Sequence, residues 1–85
     1  MSGRLAGRRA LVIGAAPGNL GDAIARLYRA EGAQVAIAGR REEAITGLAA
    51  DIGALGIAAD ITVEADLDHL FAQVDQVFGG IDIAV

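Results

Sequence analysis

The residues of this chain best suited to hold an anion are three glycines, Gly14, Gly18 and Gly21, in the stretch "VIGAAPGNLG" at positions 12–21. Gly14 lets a chain leave a strand sharply, Gly18 removes a side chain where a phosphate would approach, and Gly21 lets the next helix start close by. The first N–H groups of that helix lack intrahelical partners and lie at the positive end of its dipole. Asn19 and Leu20 fall between the last two glycines, so their backbones share the cradle, while Pro17 stiffens it and withholds one N–H. The chemistry on offer is capture of a pyrophosphate; the bland alternative is a connecting loop that needs positive φ. A second place is "AGRREE", where Arg40 and Arg41 can grip a further phosphate through charge-assisted paired bonds. Their bland alternative is two solvated side chains at a helix start. Asp60, after a third apolar run, is a polar group at a strand end that could equally serve a turn. His69 has no second ligand beside it, and a chain without cysteine offers no thiolate metal site, so no metal is expected.

Such a cradle works only when a strand feeds it and a helix leaves it. Residues 10–13 are a continuous apolar run, as in a strand buried on both faces. Residues 21–31 place Ile24, Leu27 and Tyr28 on one helical stripe, and Gly32 stops that helix. A second strand is expected over 35–38, closed by Gly39, and a second helix over 42–52 with Ile45, Leu48 and Ile52 inward and Gly47 inside it. Residues 57–61 read as a third, alanine-rich strand. Thr62 is the expected cap of a third helix carrying Leu67, Leu70, Phe71, Val74 and Phe78 at helical spacing. Gly79 and Gly80 end it, and "IDIAV" opens a fourth strand. The order β-α-β-α-β-α-β with short connections implies an α/β fold with a parallel sheet and right-handed crossovers. Ligands of such sheets bind beyond the carboxyl ends of the strands, where residues 14–21 lie.

Bulk properties narrow the class. With 54% apolar and 21% charged residues the chain is no disordered tail, and no apolar run is long enough to span a membrane. Nothing after the basic start has signal-peptide form, which leaves the cytoplasm as the expected location. All seven arginines lie at or before Arg41, against two acids, so residues 1–41 carry about +5; the nine acids beyond carry about −9. Either these are two ordinary solvated surfaces or the front half faces something anionic. A net charge of −4 without a basic stripe and aromatics argues against nucleic acid as a partner.

The segment "GRRALVIGAAPGNLGDAIARLYRAEGAQVAIAGRREEAI" resembles the start of a short-chain dehydrogenase/reductase, and the likeness continues through "AADIT" to "GGIDIAV". The family's usual turn is Thr-Gly-x-x-x-Gly-x-Gly. Here Ile13 replaces the threonine and the turn is one residue longer, with Asn19 and Leu20 between the last glycines. Enoyl reductases of fatty-acid synthesis also have altered turns. The resemblance implies a Rossmann-type doubly wound sheet, of which this chain is the N-terminal part, and a dinucleotide cofactor around Gly14, Gly18, Asn19, Leu20 and Gly21. An acidic residue after the second strand would bond the ribose of NAD. Gly39, Arg40 and Arg41 stand there instead, so NADP(H) is expected rather than NAD(H). Asp60, with the N–H of Ile61, takes the adenine amino group in the resembling family.

Family members that transfer hydride use a serine, a tyrosine and a lysine four residues beyond the tyrosine. The lysine lowers the tyrosine's pKa so that it exchanges a proton with the carbonyl oxygen. This chain has no lysine, its one tyrosine is Tyr28 on the first helix, and its one serine is Ser2. No catalytic residue is expected within these 85 residues. The expectation is therefore the cofactor-binding portion of an NADP(H)-dependent oxidoreductase, truncated at its C-terminal end and a homo-oligomer when full length. Alternatives are an enoyl-reductase-like member of the superfamily and a non-catalytic dinucleotide-binding module.

Overall fold

The computed structural model describes residues 5–85. Seven elements follow one another: β1 (Arg9–Ile13), α1 (Leu20–Ala30), β2 (Gln34–Gly39), α2 (Glu42–Ile52), β3 (Leu55–Ala58), α3 (Glu64–Phe78) and β4 (Ile83–Ala84). The four strands are parallel in the order β3-β2-β1-β4, so the chain reverses its direction of travel across the sheet after β3. That reversal leaves the carboxyl end of β1 at the switch point, with the glycine turn directly above it.

Alternate residues of the strands feed two cores. Ala10, Val12, Val35 and Ile37 point to one face and pack under α1 and α2 through Ala25, Ile45, Leu48, Ala49 and Ile52. Leu11, Ala36, Ala38 and Ile57 point to the other and meet Leu70 and Val74 of α3. Both faces are covered, which is why these strands read as unbroken apolar runs rather than alternating ones. Gly47 sits in regular helix facing open space.

Four expectations shift. The third strand spans Leu55–Ala58 instead of 57–61, because its register is set by pairing from Ala36↔Leu55 to Gly39↔Ala58. Gly56 is required there by packing, since a β-carbon on it would lie 2.8 Å from Ala49 Cβ. Thr62 does not cap α3: its N–H and Oγ1–H both donate to Asp60 Oδ1 at 3.0 and 2.6 Å, and Val63 takes the cap position without a side-chain bond. Leu27, expected on the inward stripe of α1, is 58% exposed. Its place at the contact is taken by Ala25, fully buried between Ile24 and Tyr28, because a helix this close to the sheet has room only for a small residue at its centre. Phe71, expected at helical spacing with the other apolar residues of α3, is 41% exposed.

Part of the uneven charge along the chain is met by contacts between its two halves. Arg26 pairs with Asp51 of α2 as well as with Asp22, Arg29 donates to the carbonyl of Gly53, and Arg9 pairs with Asp82. The last is a two-pronged clasp. Arg9 Nε and its backbone N–H reach Asp82 Oδ2 at 3.0 and 2.9 Å, Arg9 Nη2 reaches Oδ1 at 3.2 Å, and Asp82 N–H donates to the Arg9 carbonyl. It fastens the short β4 to β1.

Hydrogen bonds from the Arg9 guanidinium, then from its N–H, lower the Asp82 carboxyl from 3.8 to about 2. A carboxyl depressed on folding stabilises fully above its unfolded value and loses that contribution as pH falls through the folded one. The clasp is therefore expected to weaken between pH 3.8 and about 2. Melting temperatures of the wild type and Asp82→Asn should differ at neutral pH and converge at the acid end; a gap independent of pH would contradict the assignment.

Candidate functional site

The turn between β1 and α1 is held by hydrogen bonds within itself and by two to the end of β2. Gly14 and Gly18 adopt left-handed φ values of 80° and 83°, which only glycine takes without strain. Gly14 and Ala15 donate their N–H groups to the carbonyl of Ala38 at the end of β2. Asn19 then staples the turn from within: its Oδ1 accepts from Ala16 N–H and Asp22 N–H at 3.1 and 3.0 Å, and its Nδ2 donates to the Gly14 carbonyl at 2.9 Å. Asn19 is thus the N-cap of α1, satisfying one orphan donor of the helix. Gly18 N–H goes to Asp22 Oδ2 at 2.7 Å.

Once these bonds are made, two donors remain. The N–H groups of Leu20 and Gly21, the first two of α1, have no acceptor among the described residues. The Leu20 side chain is 75% exposed and lies clear of the turn's interior. Gly21 is indispensable for a different reason. A β-carbon on it would lie 2.9 Å from Ala15 Cα, so glycine alone lets the helix start against the turn.

Beside the turn lies a cleft of ≈ 490 Å³, lined by residues 14–17 on one side and by Gly39, Arg40, Arg41 and Ala44 on the other. Its size suits a small-molecule site. Gly39 keeps it open, because a β-carbon there would come within 2.6 Å of the Ala15 carbonyl oxygen. In the sequence Gly39 shows only as the end of a strand; its clearance role depends on Ala15, which no local pattern connects to it. Both arginines are exposed at this rim, and among the described residues no carboxylate lines the cleft.

Asp60 stands at the neighbouring strand end. Its Oδ1 is held by Thr62, and its Oδ2 lies 3.8 Å from Arg40 Nε. Bonds from the Thr62 hydroxyl, then from its N–H, with the charge of Arg40 behind them, hold the Asp60 carboxyl below its ordinary value. The structure therefore brings Arg40 and Asp60 together across the ends of β2 and β3, while Asp60 and Ile61 stay outside the cleft lining. His69 is exposed, and among the described residues no group of His, Asp and Glu is placed to hold a metal ion. None of their helices is long and apolar enough to cross a membrane.

A four-stranded parallel sheet wound on both faces, with a glycine turn at its switch point, defines a Rossmann-type α/β architecture. Residues 14–85 match a family model described as enoyl-(acyl carrier protein) reductase. Sorbitol dehydrogenase of Cereibacter sphaeroides is 45% identical over 84 residues, 96% of this chain and 32% of that protein. Among solved structures, a short-chain type dehydrogenase/reductase from Mycobacterium marinum superposes with a TM-score of 0.87 at 39% identity, over 94% of this chain and 34% of that one. The 3-ketoacyl-(acyl-carrier-protein) reductase from Brucella melitensis, complexed with NADH, gives a TM-score of 0.89 at 35% identity, over 94% and 33%. The chain belongs to the short-chain dehydrogenase/reductase family of oxidoreductases. It spans about a third of the length of the curated relatives it matches.

Proposed function

We propose that these residues are the cofactor-binding portion of an NADP(H)-dependent oxidoreductase that interconverts a carbonyl and a hydroxyl. The single observation behind the choice of dinucleotide is the cleft at the end of β2, rimmed by Arg40 and Arg41 with no carboxylate in its lining. A guanidinium gains paired, charge-assisted bonds from a 2′-phosphate and nothing comparable from a 2′-hydroxyl. Leu20 and Gly21 offer the pyrophosphate two free N–H groups at the positive end of α1, and Gly14 and Gly18 give the turn its shape. Asp60 and the Ile61 N–H would face the adenine. When bound, the dinucleotide supplies hydride exchange at its nicotinamide; this chain's residues bind and orient its adenosine and diphosphate. The serine, tyrosine and lysine of proton transfer are supplied from outside these residues, since the chain holds no lysine and Tyr28 is packed against the core.

The Brucella reductase is described with NADH, so the dinucleotide class is common ground and the extra phosphate is the point at issue. Reduction of an enoyl group is the second reading, favoured by the description of the matching family model and by the lengthened turn. Titration calorimetry with NADP(H) and NAD(H) tests the proposal. Arg40→Ala should weaken NADP(H) about tenfold, the worth of one charged hydrogen-bonded contact, and leave NAD(H) unchanged. Equal losses for both, or tighter binding of NAD(H) by the wild type, would remove the specificity argument.

A further inference from the structure

Asp22 is the one buried charged residue among the described residues, at 8% exposure, and it sits one position beyond the two free N–H groups of α1. A carboxylate there is costly on two counts: it is withdrawn from water, and it stands beside the place of a diphosphate. What it does in return is visible. Oδ2 takes the Gly18 N–H at 2.7 Å and so fixes the left-handed residue of the turn, and Oδ1 takes Arg26 Nε at 2.6 Å. Arg26 Nη2 continues to Asp51 Oδ2 of α2 at 2.8 Å, which aims the guanidinium back at Asp22. The bond from Gly18, then that from Arg26, also keep the Asp22 carboxyl below its ordinary range, so it stays ionised at neutral pH.

We propose that Asp22 is a positioning residue for dinucleotide binding, shaping the lengthened turn through Gly18, and that Arg26, held by Asp51, is the counter-charge that lets an acid stand beside the diphosphate. The inference rests on the dinucleotide reading above. By drawing the Gly18 N–H inward, Asp22 leaves the anion to the N–H groups of Leu20 and Gly21 and keeps those two aligned. Neither Asp22 nor Arg26 lines the cleft of the adenosine end, so their influence falls equally on both dinucleotides.

The test is calorimetric titration of the whole chain with NADP(H) and with NAD(H), with circular dichroism to confirm folding. Asp22→Ala should weaken both dinucleotides about tenfold, the loss of one charge-assisted hydrogen bond. Asp22→Asn, which keeps an oxygen for the Gly18 N–H, should recover most of that loss. Arg26→Leu exposes the diphosphate to an uncompensated acid and should weaken both about fivefold at low salt, a loss that shrinks in 1 M salt, where the screening length falls to about 3 Å. Arg26→Lys should restore binding. A merely structural role would give losses indifferent to salt and to the returned charge. Should Asp22→Ala fail to fold, the Arg26 pair decides, since that side chain is half exposed. Wild-type affinity in Asp22→Ala or Arg26→Leu overturns this proposal alone, whereas a wild type that binds neither dinucleotide overturns it together with the reading it rests on.

Discussion

Gly21→Val is expected to bind both dinucleotides about a hundredfold more weakly than the wild type, the equivalent of about 3 kcal/mol of overpacking. The first β-carbon would already lie 2.9 Å from Ala15 Cα and 3.3 Å from Ala15 Cβ and N, and all three atoms belong to the turn rather than to a side-chain tip that could swing away. Ala15 is itself buried and tied by its N–H to the Ala38 carbonyl, so the turn cannot retreat without breaking its bond to β2. Either the helix start moves out or the turn does, and both displace the N–H groups of residues 20 and 21 from a common target. Because α1 still buries Ala25 against the sheet, folding should survive and the deficit should appear in titration calorimetry. Undiminished binding would mean that the anion does not sit at this helix start.

Leu70→Ala is expected to remove about 2–5 kcal/mol of stability, with the cavity adding to the lost transfer energy. A chain of this size has in total about 4–13 kcal/mol, at 0.05–0.15 kcal/mol per residue, so the variant should melt about 10–30 °C lower or be unfolded at 37 °C. Leu70 matters this much because α3 is held by few side chains. Only Leu70 and Val74 of that helix are buried, with Leu67 and Phe78 half-covered, and the opposite face of the sheet carries the larger cluster under two helices. Urea melts give the magnitude. Hydrogen exchange should show α3 amides losing protection first while the α1 and α2 side retains it; a uniform loss would mean that the two faces fold as one unit.

Much of the scaffold was legible in the sequence because short apolar runs, glycine stops and helical stripes agreed with one another. α2 is found at 42–52 as expected, and Gly32 ends α1 in the left-handed conformation. What escaped has a common cause, namely contacts made across the chain. Leu27 fits the inward stripe by spacing alone, and only the close approach of α1 to the sheet turns it outward in favour of Ala25. Residues 57–61 looked more strand-like than "LGIA", yet pairing with β2 and clearance at Gly56 set the register two residues earlier. Thr62 has the chemistry of a cap but finds Asp60 nearer. At the site, the glycines and both arginines were readable as types at positions. Asn19 as staple, Asp22 as buried anchor and Gly39 as clearance were not, because each is defined by a partner that local sequence does not name.

The clasp between Arg9 and Asp82 joins residues 73 apart, almost the two ends of the described chain. Bringing such distant points together is entropically expensive, and the expense grows only slowly with the length of the intervening segment. That loss is met when α3 has laid Leu70 and Val74 on the sheet and delivered β4 to the flank of β1. Neighbouring units such as β1-α1-β2 need no such long closure and can organise earlier. The guanidinium of Arg9 is accordingly placed to report, through its magnetic-resonance signal, when β4 docks on β1.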